Sequence, residues 1–256
     1  MIGWDWWFAM LDNRLIIDPG VGAGGLDAPQ VQLSEDRLHH IGRVLRLNES
    51  ECFWLGDGKG SIRSVRVVSA YKGKVELTWN GAKQIVPPPE CPVHLVMALL
   101  QGRDLETAVV AAVEAGADQI HLVSTDRVNR PRFVDDDSTA KRLEKAVVEA
   151  SSQAGRPIMP DVHYAEELDV AMRAGSRRFY ADLCDPNAAT SETTELADSY
   201  VIAIGPEGGW SEREGQVFDT VGAEKLWLGP AVLRARTAAA VAVHRMVLLR
   251  VAYGGP

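Results

Sequence analysis

From residue 14 to residue 84, apolar and polar positions alternate in short runs broken by turn formers, the period-two pattern of half-buried strands. Strands are predicted at residues 15–17, 51–55, 62–68 and 74–79, with Gly56-Asp57-Gly58-Lys59-Gly60 and Lys72-Gly73 as turns. Between the first two lies one helix candidate, N-capped by Ser34, with Leu38, Ile41, Val44 and Leu45 on one face. One helix inserted among several short strands predicts a small β-barrel. The stretch Val86-Pro87-Pro88-Pro89-Glu90-Cys91-Pro92 ends this pattern, because so many prolines sustain neither a helix nor a central strand. The chain is therefore divided into an extension over residues 1–13, a first domain over 14–86, a stiff linker over 87–92 and a second domain over 93–256.

Beyond the linker the period changes. Continuous apolar runs at residues 93–100, 119–123, 178–183, 200–204 and 225–228 read as buried strands. Helical patterns fall between or after them at 105–115, 138–154, 165–174, 211–221 and 236–252. Ser211 and Glu214 form a capping-box pattern at the start of the fourth of these helices. Alternating β and α segments with apolar strands predict an α/β domain, a mostly parallel sheet covered on both faces. The last helix is apolar nearly all round, which calls for burial on more than one side, either in a core or against a second copy.

Composition narrows the class. With 46% hydrophobic and 24% charged residues the chain reads as globular, and no apolar run reaches the length of a membrane span. Residues 1–13 hold Trp4, Trp6, Trp7 and Phe8, but Asp5 and the lack of a preceding basic segment make a poor signal peptide. Cys52, Cys91 and Cys184 are far apart and lack metal-ligand spacing, which points to a reducing cytoplasm and to no metal site. The net charge of −8 sits in the second domain, the first being balanced, so any nucleic-acid binding must use local basic patches.

The most informative stretches lie near the C-terminus. Ile204-Gly205-Pro206-Glu207-Gly208-Gly209 and Leu228-Gly229-Pro230-Ala231-Val232-Leu233-Arg234-Ala235-Arg236-Thr237-Ala238 both end an apolar strand at Gly-Pro. Glycine admits positive φ and close approach of a ligand, and proline stops the strand, so each is a main-chain elbow at the carboxyl end of a strand, where α/β sheets hold ligands. Leu38-His39-His40-Ile41-Gly42-Arg43-Val44-Leu45-Arg46 adds a basic cluster to the first domain. With Arg142, Glu149-Ala150, Gln153 and Gly155-Arg156, these motifs resemble the RsmE family of 16S ribosomal RNA methyltransferases, in the SPOUT superfamily. The resemblance spans residue 14 to the final helix. It implies a PUA-like RNA-binding first domain, a second domain with a deep trefoil knot, a homodimer in the cytoplasm, and methylation of uridine N3 in the small ribosomal subunit from S-adenosylmethionine.

The resemblance also implies roles. Gly205, Gly208, Gly209 and Gly229 let the cofactor approach the main chain, Leu183, Ile204, Leu228, Val232 and Leu233 wall it, and Thr237 closes the set. Glu207 either contacts the cofactor or caps the following helix. Arg234 is the candidate catalytic residue, stabilising charge on the uracil oxygens as N3 is deprotonated; its alternative is to cap carbonyls or pair with Glu207. Asp182 is a weak candidate base that could equally tie down loop amides. Arg43 and Arg46, three apart on a helix, with Arg103 and Arg156, are candidate RNA contacts. Two departures stand out: Gln101-Gly102-Arg103-Asp104 replaces a Lys-Gly-Asp-Lys pattern, and Arg236 replaces a glutamate. They motivate two rivals, a knotted methyltransferase for another RNA position and a non-catalytic RNA-binding or assembly protein. A dehydrogenase is disfavoured, since no Gly-x-Gly-x-x-Gly follows the first strand of the second domain.

Overall fold

The computed structural model describes residues 14–21, 24–45, 47–71, 74–100, 102–128, 137–183 and 197–254. Expectations placed on residues 1–13, Arg46, the Lys72-Gly73 turn, Gln101 and Cys184, and on the side chains of His40 and Val44, lie outside what is described. The chain divides into two compact units, one of Met1–Pro88 with Val148–Met159 and one of Pro89–Val147 with Pro160–Pro256.

In the first unit, β1 (Leu15–Ile17) pairs in parallel with β2 (Cys52–Gly56), and β2 pairs antiparallel with β3 (Ser61–Tyr71). The long β3 also pairs with β4 (Lys74–Trp79) and, through its first residues, with β5 (Gln84–Ile85), a strand too short to show in the sequence pattern. The expected barrel is not closed by backbone pairing. β3 uses both of its edges, and among the described residues β1 and β4 are not paired, so the strands form a five-stranded sheet. One face buries Ile16, Phe53, Leu55, Val65 and Val67 against Leu26, Ile41 and Leu47. Ser34 accepts the Arg37 amide (3.4 Å) as the N-cap of α1 (Glu35–His39). From His40 to Leu45 the helix continues with π spacing; it carries Arg43, and the expected shared face of Arg43 and Arg46 lies outside the described residues.

In the second unit the strands are β6 (Val93–Ala98), β7 (Gln119–Val123), β8 (Asp161–Glu166), β9 (Arg177–Ala181), β10 (Tyr200–Ile204) and β11 (Glu224–Leu226). They form one parallel sheet in the order β11-β9-β10-β6-β7-β8, with every residue of the central β6 and β10 buried. Helices α2 (Arg103–Ala115), α3 (Asp137–Gln153, of which residues 137–147 belong to this unit), α4 (Leu168–Met172), α5 (Glu212–Thr220) and α6 (Ala235–Gly254) connect or follow them. α6 packs on α2 and on β6 and β10, while α4 and α5 cover Val96, Val123, Val201 and Ala203 on another core. β8 replaces the start of the helix expected from residue 165. Val162, His163 and Tyr164 suit an extended edge, and α4 begins only after Glu167. Three histidines stack across neighbouring strands, with centroids 5.7 Å apart for His94 and His121 and 4.8 Å for His121 and His163.

Candidate functional site

β10 and β11 both stop at the same end of the parallel sheet, and the loops that follow them converge. Residues 204–210, 227–229 and 231–235, with the end of β9, line one cavity of about 390 Å³, within the size range of small-ligand sites. Local chemistry shapes the first elbow. The Gly209 amide donates to Pro206 O (2.9 Å), closing a turn in which Gly209 takes φ +70°, a conformation that favours glycine. Gly205 lies under the Trp210 indole, where a Cβ would stand 2.9 Å from Cε2. That indole is fixed, because its Nε1 donates to Ala181 O (3.0 Å) and its ring meets Phe218 edge-on at 4.8 Å.

The second elbow is fixed differently. Arg245 of α6 donates from Nη1 to Trp227 O (2.8 Å). The Arg234 carbonyl accepts the amides of Thr237 and Ala238 (both 2.9 Å), so the elbow runs directly into the first turn of α6. Ala235 and Ala238 of that turn reach the cavity, which therefore meets the amide-rich, electropositive end of a helix.

Of the residues singled out in the sequence, Ile204, Gly205, Glu207, Gly208, Gly209, Leu228, Gly229, Val232 and Leu233 line this cavity, with Leu183 beyond the end of β9. Leu183 and Val232 are 75% and 79% exposed, apolar side chains standing at its mouth. Arg234 also lines it, and among the described residues its side chain has no ion-pair partner, so the pairing with Glu207 is not made. Thr237 is not part of the lining; it sits exposed on the first turn of α6. Glu207 does not cap α5. Ser211 does, accepting Glu214 N (3.2 Å) while Glu214 Oε2 accepts Ser211 N (2.7 Å). Asp182 lines the cavity, but Oδ1 accepts the Leu183 amide (2.9 Å) and Oδ2 pairs with Lys225 (3.2 Å), the loop-tying role that was its alternative.

The basic residues are placed separately. Arg43 is exposed on the π turn and Arg156 is half-buried in the segment grouped with the first unit, while Arg103 is exposed at the start of α2 in the second. The two departures from the family pattern turn out to be partners, Arg236 Nη1 lying 3.5 Å from Asp104 Oδ1. Reading the sequence missed Trp227, Trp210, Asp126, Arg127 and Arg245. Trp210 adjoins the Gly-Gly pair, but the two loop residues and Arg245 matter only through distant partners that no spacing reveals. Asp126 accepts from Arg213 Nη2 (2.5 Å) and Ser211 Oγ (2.6 Å), which hold its carboxyl down to about 2. Among the described residues no cluster of histidine, cysteine and carboxylate side chains is placed to hold a metal ion.

Comparison with known proteins agrees with this layout. Residues 87–247 match the RNA methyltransferase domain model and residues 33–78 the RNA methyltransferase PUA domain model. The chain is 31% identical over 230 residues to ribosomal RNA small subunit methyltransferase E of Mycobacterium bovis, covering 84% of each chain. It is 28% identical over 225 residues to the protein of that name from Synechocystis, covering 84% of this chain and 72% of that one. In structure it is similar to a ribosomal RNA small subunit methyltransferase E from Neisseria gonorrhoeae bound to S-adenosyl methionine, with a TM-score of 0.75 at 23% identity over 93% of this chain and 98% of that one.

Proposed function

The chain belongs to the RNA methyltransferase family of ribosomal RNA small subunit methyltransferase E, and on that premise we propose that it transfers a methyl group from S-adenosylmethionine to N3 of a uridine in 16S ribosomal RNA. The observation that carries the proposal is the convergence of two glycine-proline elbows on one cavity. The residues present fit the cofactor. Main-chain N–H and C=O groups of both elbows suit the hydrogen-bonding edge of adenine, and Ile204, Leu228 and Leu233 give apolar walls. The exposed carboxylate of Glu207 complements a cation, and the first turn of α6 suits a carboxylate.

When bound, the cofactor supplies an electrophilic methyl group on a sulfonium. The protein's part is to place the acceptor in line, exclude water and stabilise the charge that develops on the base. Loss of the N3 proton would leave negative charge shared between N3 and the ring oxygens, and that charge is consumed as N3 takes the methyl group and the methyl–sulfur bond breaks, leaving a neutral thioether. Arg234, exposed at the cavity lining and without an ion-pair partner among the described residues, offers a planar fork of donors to that charge. Asp182 is not assigned as the base, since both of its oxygens are engaged.

The same reading extends to partners and topology. A second copy of the chain would cover Val241, Leu248 and Val251, which stand 40%, 54% and 42% exposed along α6. The trefoil knot is supported by the chain path. From β10 the chain crosses to β11 beyond β9, then returns in α6 to the central strands β6 and β10. A cytoplasmic location follows from the ribosomal substrate. Arg43, Arg103, Arg156 and Arg46 are proposed RNA contacts. The Arg236–Asp104 pair removes a motive for the non-catalytic alternative, because the two unusual residues satisfy each other.

The test is methyl transfer from labelled S-adenosylmethionine to small subunits from cells lacking the enzyme, followed by nucleoside analysis. Label in 3-methyluridine is expected. Label in another nucleoside would move the target, and no cofactor binding by calorimetry would overturn the reading.

A further inference from the structure

The loop after β7 lies two strands away from β10 in the sheet, yet it is bound tightly to the loop and helix that follow β10. The Asp126 carboxylate accepts from Ser211 Oγ at 2.6 Å and from Arg213 Nε and Nη2 at 3.1 and 2.5 Å. The Asp126 amide donates to Oε1 of the buried Glu214 (2.9 Å), whose other oxygen completes the helix cap. One residue further on, Arg127 turns back and donates from Nη1 to Gly208 O (2.8 Å). Its side chain lies along the glycine, so that a Cβ on Gly208 would stand 3.2 Å from Arg127 Cβ. Arg127 is not part of the cavity lining and acts from behind the loop.

The bond to Gly208 O matters because of the peptide it grips. The carbonyl of Gly208 and the amide of Gly209 belong to one planar unit and point in opposite directions. The amide end is held by Pro206 O at 2.9 Å and the carbonyl end by Arg127 at 2.8 Å. With glycine on either side, rotation of this plane meets no Cβ, so a flipped orientation is sterically cheap. A flipped plane would break both bonds and undo the turn that the Gly209 amide closes, changing the shape of the cavity wall.

We infer that Arg127 is a positioning residue for the methyl donor: through Gly208 O it locks the Gly208–Gly209 peptide in the orientation that builds the cavity wall, and the Asp126 clasp anchors the loop from which it reaches. The inference rests on the proposed function of the cavity. It assigns Arg127 no contact with the reacting atoms.

The test uses Arg127→Ala and Arg127→Lys in the full chain, with Arg127→Gln carrying the same readouts should the alanine variant fail to fold. In the ligand-free protein, hydrogen exchange at the Gly209 amide should speed up in Arg127→Ala while exchange in β6 and β10 stays as in the wild type. Calorimetry should give a dissociation constant for S-adenosylmethionine raised about tenfold, the effect of losing one charge-assisted hydrogen bond of roughly 1.4 kcal/mol. In turnover, KM for the cofactor should rise while KM for small subunits does not, and Arg127→Lys, which keeps one donor, should recover most of the loss. Wild-type exchange and affinity in Arg127→Ala would overturn the inference. So would an effect confined to KM for small subunits, which would make Arg127 a substrate contact. A wild-type protein that binds no S-adenosylmethionine would instead overturn the function proposed for the cavity.

Discussion

Gly205→Ala tests whether the first elbow is as closely fitted as its geometry indicates. The new methyl would lie 2.9 Å from Cε2 and 3.2 Å from Cδ2 and Cζ2 of Trp210. Carbon atoms pack best at about 3.5–4.0 Å, so the indole would have to retreat by roughly half an ångström or more. It has little room. Its Nε1 is tied to Ala181 O at 3.0 Å, its edge meets Phe218, and Phe218 is fully buried and stacked on Tyr180 at 4.2 Å. Overpacking a filled site of this kind costs about 1–3 kcal/mol. The cost divides between two measurable quantities. If the elbow yields, ligand binding must restore it, and the dissociation constant rises by roughly five- to 150-fold. If the core yields, the thermal midpoint falls by about 2–4 °C per kcal/mol for a chain of this size. Calorimetry with S-adenosylmethionine and thermal denaturation together should account for the whole cost. Gly215→Ala is the control, since a Cβ there meets nothing within 4 Å. A Gly205→Ala protein with affinity within about twofold of wild type and an unchanged midpoint would refute the reasoning.

Other perturbations test other parts of the molecule. Arg234→Ala should lower kcat about a hundredfold or more with cofactor affinity nearly intact, and Arg234→Lys should not restore it, because a lysine lacks the planar fork; single-turnover kinetics and calorimetry separate the two effects. Asp118→Ala removes the acceptor of both the Val93 amide (2.9 Å) and Arg250 Nη1 (2.7 Å) and strands a largely buried guanidinium. Urea denaturation should show a loss of roughly 2–4 kcal/mol. Reversing the exposed pair in the double variant Asp104→Lys with Arg236→Glu should leave melting close to wild type, whereas Asp104→Lys alone sets two cations together; a double variant no better than the single one would show that the 3.5 Å contact is idle. The histidine stack predicts an acid sensitivity. Burial first, then the charge His121 would carry, hold His94 below its ordinary value of 6.5, against a smaller opposing pull from Asp118 and Gln119. The folded state thus resists a proton that the unfolded state accepts, so this contribution is complete above about pH 6.5 and is lost as pH falls below it. The urea midpoint should decline over that window, and more shallowly in His94→Gln; identical slopes would rule the stack out as the cause.

What could be read along the chain were features that local chemistry decides. Continuous apolar runs identify buried parallel strands, and β6 and β10 are buried along their whole length. Proline after glycine keeps a strand from continuing, so the elbows are visible in the sequence, although β11 already ends at Leu226, ahead of Gly229, and Ser211 with Glu214 forms its capping box within four consecutive residues. Local signals also misled. The α period does not foresee the π turn at His40–Leu45, and the pattern expects helix from residue 165 where β8 still runs, because a short edge strand carries little pattern.

Other features were decided by the tertiary structure alone. That two elbows separated by a helix and a strand should line one cavity depends on strand order, which places β9 between β10 and β11. Asp104 meets Arg236, and Arg127 meets Gly208, across intervals of sequence far longer than any helical or strand period. Hydrophobic periodicity records which way each side chain faces its own core. Polar contacts between loops depend on where separate strands end, and no residue's immediate neighbours carry that information.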